Sequence, residues 1–191
     1  AALQAGVRLV HYRAKVEGEV GSGNDLERLH QARRLRRLCD QHGALFIVND
    51  RVDLAVAADA DGVHLGQGDL PPAVARRLLG PDRLIGRSTH AIEQLREAVA
   101  DGCDYVGVGP VHATPTKAGR APVGLSYVHR AAAESPLPFF AIGGIDAETL
   151  PGVLEAGGSR VAVVRAIMKA ADPTAAAQRL ITMLDAVPCR S

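Results

Sequence analysis

Seven short apolar runs recur along this chain of 191 residues, and each closes on polar or glycine-rich residues. They are LVHYRAK (9–15), LFIVND (45–50), GVHLGQGD (62–69), LIGRSTH (84–90), YVGVGPVHATPTK (105–117), FFAIGGI (139–145) and RVAVVRAI (160–167). The runs are rich in Val, Ile, Leu and Phe without clean alternation, the pattern of parallel strands covered on both faces. Helical stretches fill the intervals. Residues Asn24 to His42 carry Leu26, Leu29, Leu35 and Leu38 at helical spacing before Gly43. Thr89 to Asp101 carry Ile92, Leu95, Ala98 and Val99 before Gly102, with Thr89 a candidate cap. Asp146 is placed to cap a helix reaching Ala156, ahead of Gly157 and Gly158, with Pro151 in its first turns or bending it. Asp172-Pro173 opens the last helix as N-cap and first helical residue. Shorter helices fit around Asp53–Ala58 and Leu70–Leu79.

Alternating strands and helices leave a closed barrel or an open doubly wound sheet. An open sheet concentrates its ligand at one switch point. Here nearly every strand end carries polar chemistry, and a barrel brings all carboxyl ends to one face. The expectation is an α/β fold, a (βα)8 TIM barrel. Seven strands are counted where eight are needed, so the first strand and most of the first helix are expected upstream of Ala1, in keeping with a chain that does not begin with Met. No linker or low-complexity break interrupts the pattern, so residues 1–191 read as one barrel domain, incomplete at its N-terminal side.

Composition narrows the function classes. A formal net charge of +1 gives no electrostatic case for nucleic acid. The dense basic stretch Arg33, Arg34, Arg36, Arg37 reads as the solvated face of a helix. No apolar run approaches the ~18 residues of a membrane span, and AALQAGVRLV lacks the basic-then-apolar order of a secretion signal. The three cysteines have no metal-ligand spacing, which fits reduced thiols in a cytoplasm. Cys39 and Cys103 are expected in the core and Cys189 in the tail. Nothing in the sequence argues for a particular oligomeric state.

The strand ends supply a chemical kit. Asp50 and Asp69 close adjacent units, and two carboxylates with phosphate oxygens and water suit Mg²⁺. Each also stands where a helix cap is ordinary. Arg13, Lys15 and Lys117 are cations suited to phosphate, or plain surface charge. Gly143-Gly144 allows close backbone approach, and Arg165-Ala166 follows the last run in the same way, at the positions where barrels often bind phosphate. The Pro-stiffened segment 109–117 offers hydroxyls and a lysine, as a substrate loop or as a surface turn. Ser88 is a further candidate. His11, His64 and His112 form no triad or metal motif.

Together YRAK, VND, DGVHLGQGDL, IGRSTH, DYVGVGPVHATPTKAGR, AIGGI and VAVVRAI resemble the thiamine-phosphate synthase (thiamine-phosphate pyrophosphorylase) family, from about Val7 to Asp172. HLGQ-x-D and the GP…PTK segment are specific, whereas AIGGI is shared with many phosphate-binding barrels. The resemblance implies a (βα)8 barrel and a transferase of thiamine biosynthesis. Such an enzyme joins hydroxymethylpyrimidine diphosphate to hydroxyethylthiazole phosphate with Mg²⁺ and releases diphosphate. It implies that Arg13, Lys15, Asn49 and Lys117 hold the pyrimidine diphosphate and that Asp50 and Asp69 bind Mg²⁺. Ser88 is then assigned to the diphosphate or the reacting pyrimidine. Thr114, Thr116 and the backbone of Gly144, Val164 and Arg165 are assigned to the thiazole phosphate. Two positions depart from the family: His11 stands where Gln is frequent, and Arg165 where Ser is frequent. His11 retains the capacity to hydrogen-bond the pyrimidine, and Arg165 its backbone N–H. The alternatives are a thiazole tautomerase-like isomerase and a non-catalytic phosphate-ligand-binding barrel.

Overall fold

The computed structural model describes residues 1–13, 24–114 and 121–186. Its seven strands are β1 (Leu9–Tyr12), β2 (Leu45–Asn49), β3 (Gly62–Leu65), β4 (Leu84–Thr89), β5 (Tyr105–Val108), β6 (Phe139–Ile142) and β7 (Val161–Ala162). They form one sheet in chain order, every neighbouring pair parallel. The helices are α1 (Asp25–Gln41), α2 (Val52–Ala57), α3 (Pro72–Leu79), α4 (Ile92–Ala100), α5 (Gly124–Glu134), α6 (Leu150–Glu155), α7 (Arg165–Met168) and α8 (Pro173–Asp185). A curled sheet whose strands stay in chain order, each followed by a helix, is the arrangement of a (βα)8 barrel lacking its first strand. Among the described residues, β1 and β7 are the two edges of the sheet. Among the same residues, no helix is long and apolar enough to cross a membrane.

Several boundaries follow local chemistry seen in the sequence. Asn24 caps α1 by accepting from the Glu27 N–H, and Gly43 beyond the helix takes a φ of 60°. Asp172 caps α8 by accepting from Thr174 and Ala175 N–H, with Pro173 first in the helix. Asp146 does not cap α6, whose N-cap is Thr149, but closes the turn that leads into it by accepting from Thr149 and Glu148 N–H, bonds that lower its carboxyl pKa. Pro151 sits in the first turn of α6, where its missing N–H costs nothing.

Other expectations need correction. Thr89 is not a helix cap: it belongs to β4, is fully buried, and its hydroxyl donates to the Gly107 carbonyl, so α4 starts only at Ile92. The buried stripe of α1 is Leu29, Ala32, Leu35 and Cys39, whereas Leu26 and Leu38 are exposed; reading only leucines missed the small residues that let the helix approach the sheet. Arg36 is not merely solvated, because it pairs with both Asp40 and Asp61. The run 160–167 yields a strand of only two residues before α7 begins. Helix α5 was not anticipated; its buried face is Tyr127, Val128 and Ala131.

Alternate residues of each strand face opposite sides. Val48, Val63, Leu65, Ile85, Val106, Val108 and Ala141 join the cluster beneath the helices. Cys39 and Cys103 are buried there, and desolvation raises both thiol pKa values, Cys103 to about 11. The opposite, concave side is unusually polar. Register places Asn49 beside His64, His64 beside Gly86, Gly86 beside Tyr105, and Ser88 beside Gly107.

Candidate active site

Glycine decides what the concave side can hold. A Cβ on Gly86 would lie 2.1 Å from Tyr105 Cζ, so the tyrosine ring passes where that side chain would be. Tyr105 thereby reaches His64 (ring centroids 5.5 Å) and His11 (6.3 Å), and its far edge meets Phe140 at 5.6 Å. Gly107 lies under the His64 ring in the same way, a Cβ there falling 3.3 Å from Cε1. The outcome is a hydrogen-bonded chain through the barrel interior. His11 Nε2 is 3.3 Å from the Tyr105 hydroxyl, that hydroxyl is 3.2 Å from His64 Nδ1, and His64 Nε2 is 2.9 Å from Ser88 Oγ. Gln67, in the turn after β3, donates to the Ser88 carbonyl at 2.7 Å and fixes its backbone.

Burial sets the protonation of this chain. Desolvation raises the Tyr105 pKa far above its ordinary value, so the phenol keeps its proton. Desolvation also lowers the His11 pKa to about 4, opposed by nearby Asn49. His11 is exposed along the open β1 edge even though its ring is crowded by protein atoms. Asn49 Oδ1 is buried and forms no hydrogen bond of ordinary geometry.

The carboxyl ends of β4 to β7 enclose a cavity of about 350 Å³. Ser88, Thr114, Gly144, Val164 and Arg165 line it, five of the residues singled out in the sequence. Gly144 has a φ of 65°, and a Cβ there would lie 2.7 Å from the His112 Cβ, so only glycine fits this wall without strain. Lys169, at the end of α7, adds a cation to the lining that the sequence reading passed over. The His90 ring bonds the Gly109 carbonyl and ties the end of β4 to that of β5.

Asn49, Asp50 and Asp69 stand at the ends of β2 and β3, beside that cavity's Ser88 wall through Gln67 and His64. Asp50 adopts a φ of 67°, and its N–H donates to the His64 carbonyl, 2.9 Å away, locking the two strand ends together. Neither carboxylate caps a helix: the caps of α2 and α3 are Arg51 and Pro71, without side-chain cap bonds. Asp69 Oδ2 accepts from the Gly66 N–H at 2.7 Å and closes its own turn. Two hard oxygen donors on adjacent strand ends fit Mg²⁺, which keeps waters and takes phosphate oxygens. Among the described residues there is no cluster of three or more His, Cys, Asp or Glu that would build an all-protein cage. Arg13 follows β1 directly. Lys15, Thr116, Lys117 and Cys189 lie outside the described residues.

Tyr105 is a functional candidate that sequence reasoning missed, and His64 one that it leaves outside any triad or metal motif. The signal was present: in the concave register, a histidine and a tyrosine flank Gly86, the residue whose absent side chain lets them meet.

The family model for thiamine monophosphate synthase matches residues 1–167. A thiamine-phosphate synthase from Synechocystis sp. is 58% identical over 187 residues, which are 98% of this chain and 53% of that protein. The chain spans about half the length of the curated relatives it matches. Among solved structures, thiamine phosphate pyrophosphorylase from Pyrococcus furiosus superimposes with a TM-score of 0.87 at 34% identity, covering 98% of this chain and 87% of that one. A 3-hexulose-6-phosphate synthase, at 22% identity and a TM-score of 0.66, covering 95% of this chain and 92% of that one, shares the fold. Matched along most of its length by both sequence and backbone, this chain belongs to the thiamine monophosphate synthase family.

Proposed function

We propose that this chain carries the active site of a thiamine-phosphate synthase, a transferase that condenses hydroxymethylpyrimidine diphosphate with hydroxyethylthiazole phosphate and releases diphosphate. The observation that carries the reading is the cavity lined by Ser88, Thr114, Gly144, Val164 and Arg165, with the Asp50–Asp69 end of the sheet next to it. In this reading Thr114, Thr116 and the N–H groups of Gly144, Val164 and Arg165 hold the thiazole phosphate. Arg13, Lys15, Asn49 and Lys117 hold the pyrimidine diphosphate, and Ser88 faces the reacting methylene or its leaving oxygen. His11 meets the pyrimidine from β1.

The cations act by matching charge as it develops on the leaving diphosphate. Holding both rings in one pocket supplies much of the remaining acceleration. No protein nucleophile is required, since the thiazole nitrogen attacks once the C–O bond opens. Asp50 and Asp69 would hold Mg²⁺, which when bound neutralises diphosphate charge as a Lewis acid. Residues 1–191 form a single barrel domain in this proposal, and we place it in the cytoplasm. The tautomerase reading leaves the paired carboxylates and the diphosphate cations without a task. A non-catalytic barrel predicts ligand binding without turnover. The decisive measurement is formation of thiamine phosphate by the full-length protein with and without Mg²⁺. Lys117→Ala is expected to lower turnover by roughly 10²-fold or more; near-normal Mg²⁺-dependent turnover in that variant overturns the assignment.

A further inference from the structure

The interior chain His11–Tyr105–His64–Ser88 has a property that none of its members has alone. A neutral imidazole carries one N–H and one lone pair, and a hydroxyl carries a single proton. Each link therefore fixes the direction of the next. When His11 Nε2–H donates to Tyr105, the phenol donates to His64 Nδ1, His64 Nε2–H donates to Ser88 Oγ, and the serine proton is left to point into the cavity. With the opposite direction, Ser88 spends its proton on His64 and shows the cavity only lone pairs.

We propose that His11, acting through Tyr105 and His64, is a positioning residue that sets the polarity of the Ser88 hydroxyl, holding it as a donor toward the anionic substrate. This deepens the synthase reading above and rests on it for the identity of the anion. Two observations favour this direction. Ser88 shares its cavity with two cations, Arg165 and Lys169, and one carboxylate, Asp146, and toward an anion held by the cations only a donor is useful. Tyr105 keeps its proton, so it transmits direction instead of ionising. Glutamine at position 11 keeps an N–H donor, whereas leucine has none.

The test begins without turnover. In the full-length protein with ¹⁵N-labelled histidine, nitrogen chemical shifts report which ring nitrogen carries the proton, and His11→Gln and His64→Gln assign the signals. The expected result is protonated Nε2 on both rings, with the His64 preference strengthened by inorganic diphosphate and Mg²⁺, and weakened by Tyr105→Phe or His11→Leu. His64 protonated on Nδ1, or a His64 signal indifferent to both substitutions, overturns the proposal. In the kinetic arm, His11→Leu is expected to lower kcat roughly fivefold, the loss of one oriented hydrogen bond, and His11→Gln to restore it. In a Tyr105→Phe background His11→Leu should add nothing further; effects that simply multiply sink the relay. Absence of synthase turnover in the unmodified protein counts against the proposed activity, while the nitrogen shifts still decide the relay.

Discussion

The two ends of the sheet treat polar groups in opposite ways. At the amino ends of the strands, charges are spent on each other and on the backbone. Asp61, just before β3, accepts from the Phe46 N–H of β2 at 2.6 Å and pairs with Arg36 of α1. Asp104, just before β5, accepts from the Ile85 N–H of β4 at 2.7 Å and pairs with Arg76 of α3 at 2.7 Å. Arg83 reaches Asp59 at 2.7 Å in the same region. A hollow of about 570 Å³ lies there, but its charged lining consists largely of these paired groups. At the carboxyl ends, the contacts around the cavity among the described residues include a run of imidazoles, hydroxyls, amides and turn backbone, with the pairs of Arg51 with Asp25 and Asp53 on the rim. The comparison teaches that polarity alone does not mark a site. What marks it is polar groups arranged around a space, with glycine keeping the space open.

If that contrast holds, changes at the two ends should part company. The largest effect is expected from Asp50→Asn, which removes the carboxylate charge but still tolerates the φ of 67°, and should cut diphosphate release by roughly 10²-fold while the melting temperature stays close to that of the parent. Turnover close to the parent's would erase the distinction. Next, Gly86→Ala forces a Cβ into the Tyr105 ring and should destabilise the fold by about 1–3 kcal/mol, measured by urea unfolding, and disrupt the His64–Tyr105 contact. An unchanged unfolding midpoint would mean that the ring has somewhere else to go. At the opposite end, Asp104→Ala strands the Ile85 N–H and should cost about 1–2 kcal/mol of stability, with kcat unaltered. A loss of kcat without a loss of stability would reverse the roles assigned to the two ends.

The smallest effect is on pH dependence. His11 has a folded-state pKa lowered to about 4 from 6.5, so the unfolded chain binds the proton more readily between those values. Its contribution is therefore complete above pH 6.5 and is lost as pH falls toward 4. In His11→Gln the unfolding midpoint should decline less steeply across that window, and identical slopes would remove His11 as a source.

Much of the fold was legible because the strands are short apolar runs punctuated by glycine, and because Asn24, Asp172 and Gly43 end or begin helices by local chemistry alone. The cavity residues Ser88, Thr114, Gly144, Val164 and Arg165 were legible because a parallel barrel sends every strand end to one face. The interior chain was not. His64 looks like an isolated histidine until the register sets it beside a glycine that admits a tyrosine from the next strand. Thr89 was misread for a related reason: a threonine after an apolar run suits a cap equally well, and only the Gly107 carbonyl across the sheet decides between them. Arg36 owed its role to an acid 25 positions away, beyond the reach of helical periodicity.

The aspartate clasps at the amino ends have a consequence for how the molecule comes apart. Each joins a helix, the strand that follows it and the next strand: α1 with β2 and β3 through Asp61, α3 with β4 and β5 through Asp104. The repeating unit of sequence is one strand and one helix, but the unit fastened by these residues is twice that size. At the amino ends, the seam between them is bridged instead through Arg83 to the Ala60 carbonyl and the exposed Asp59, so amide exchange under native conditions should release the sheet in doublets, with the β2–β3 and β4–β5 seams opening later.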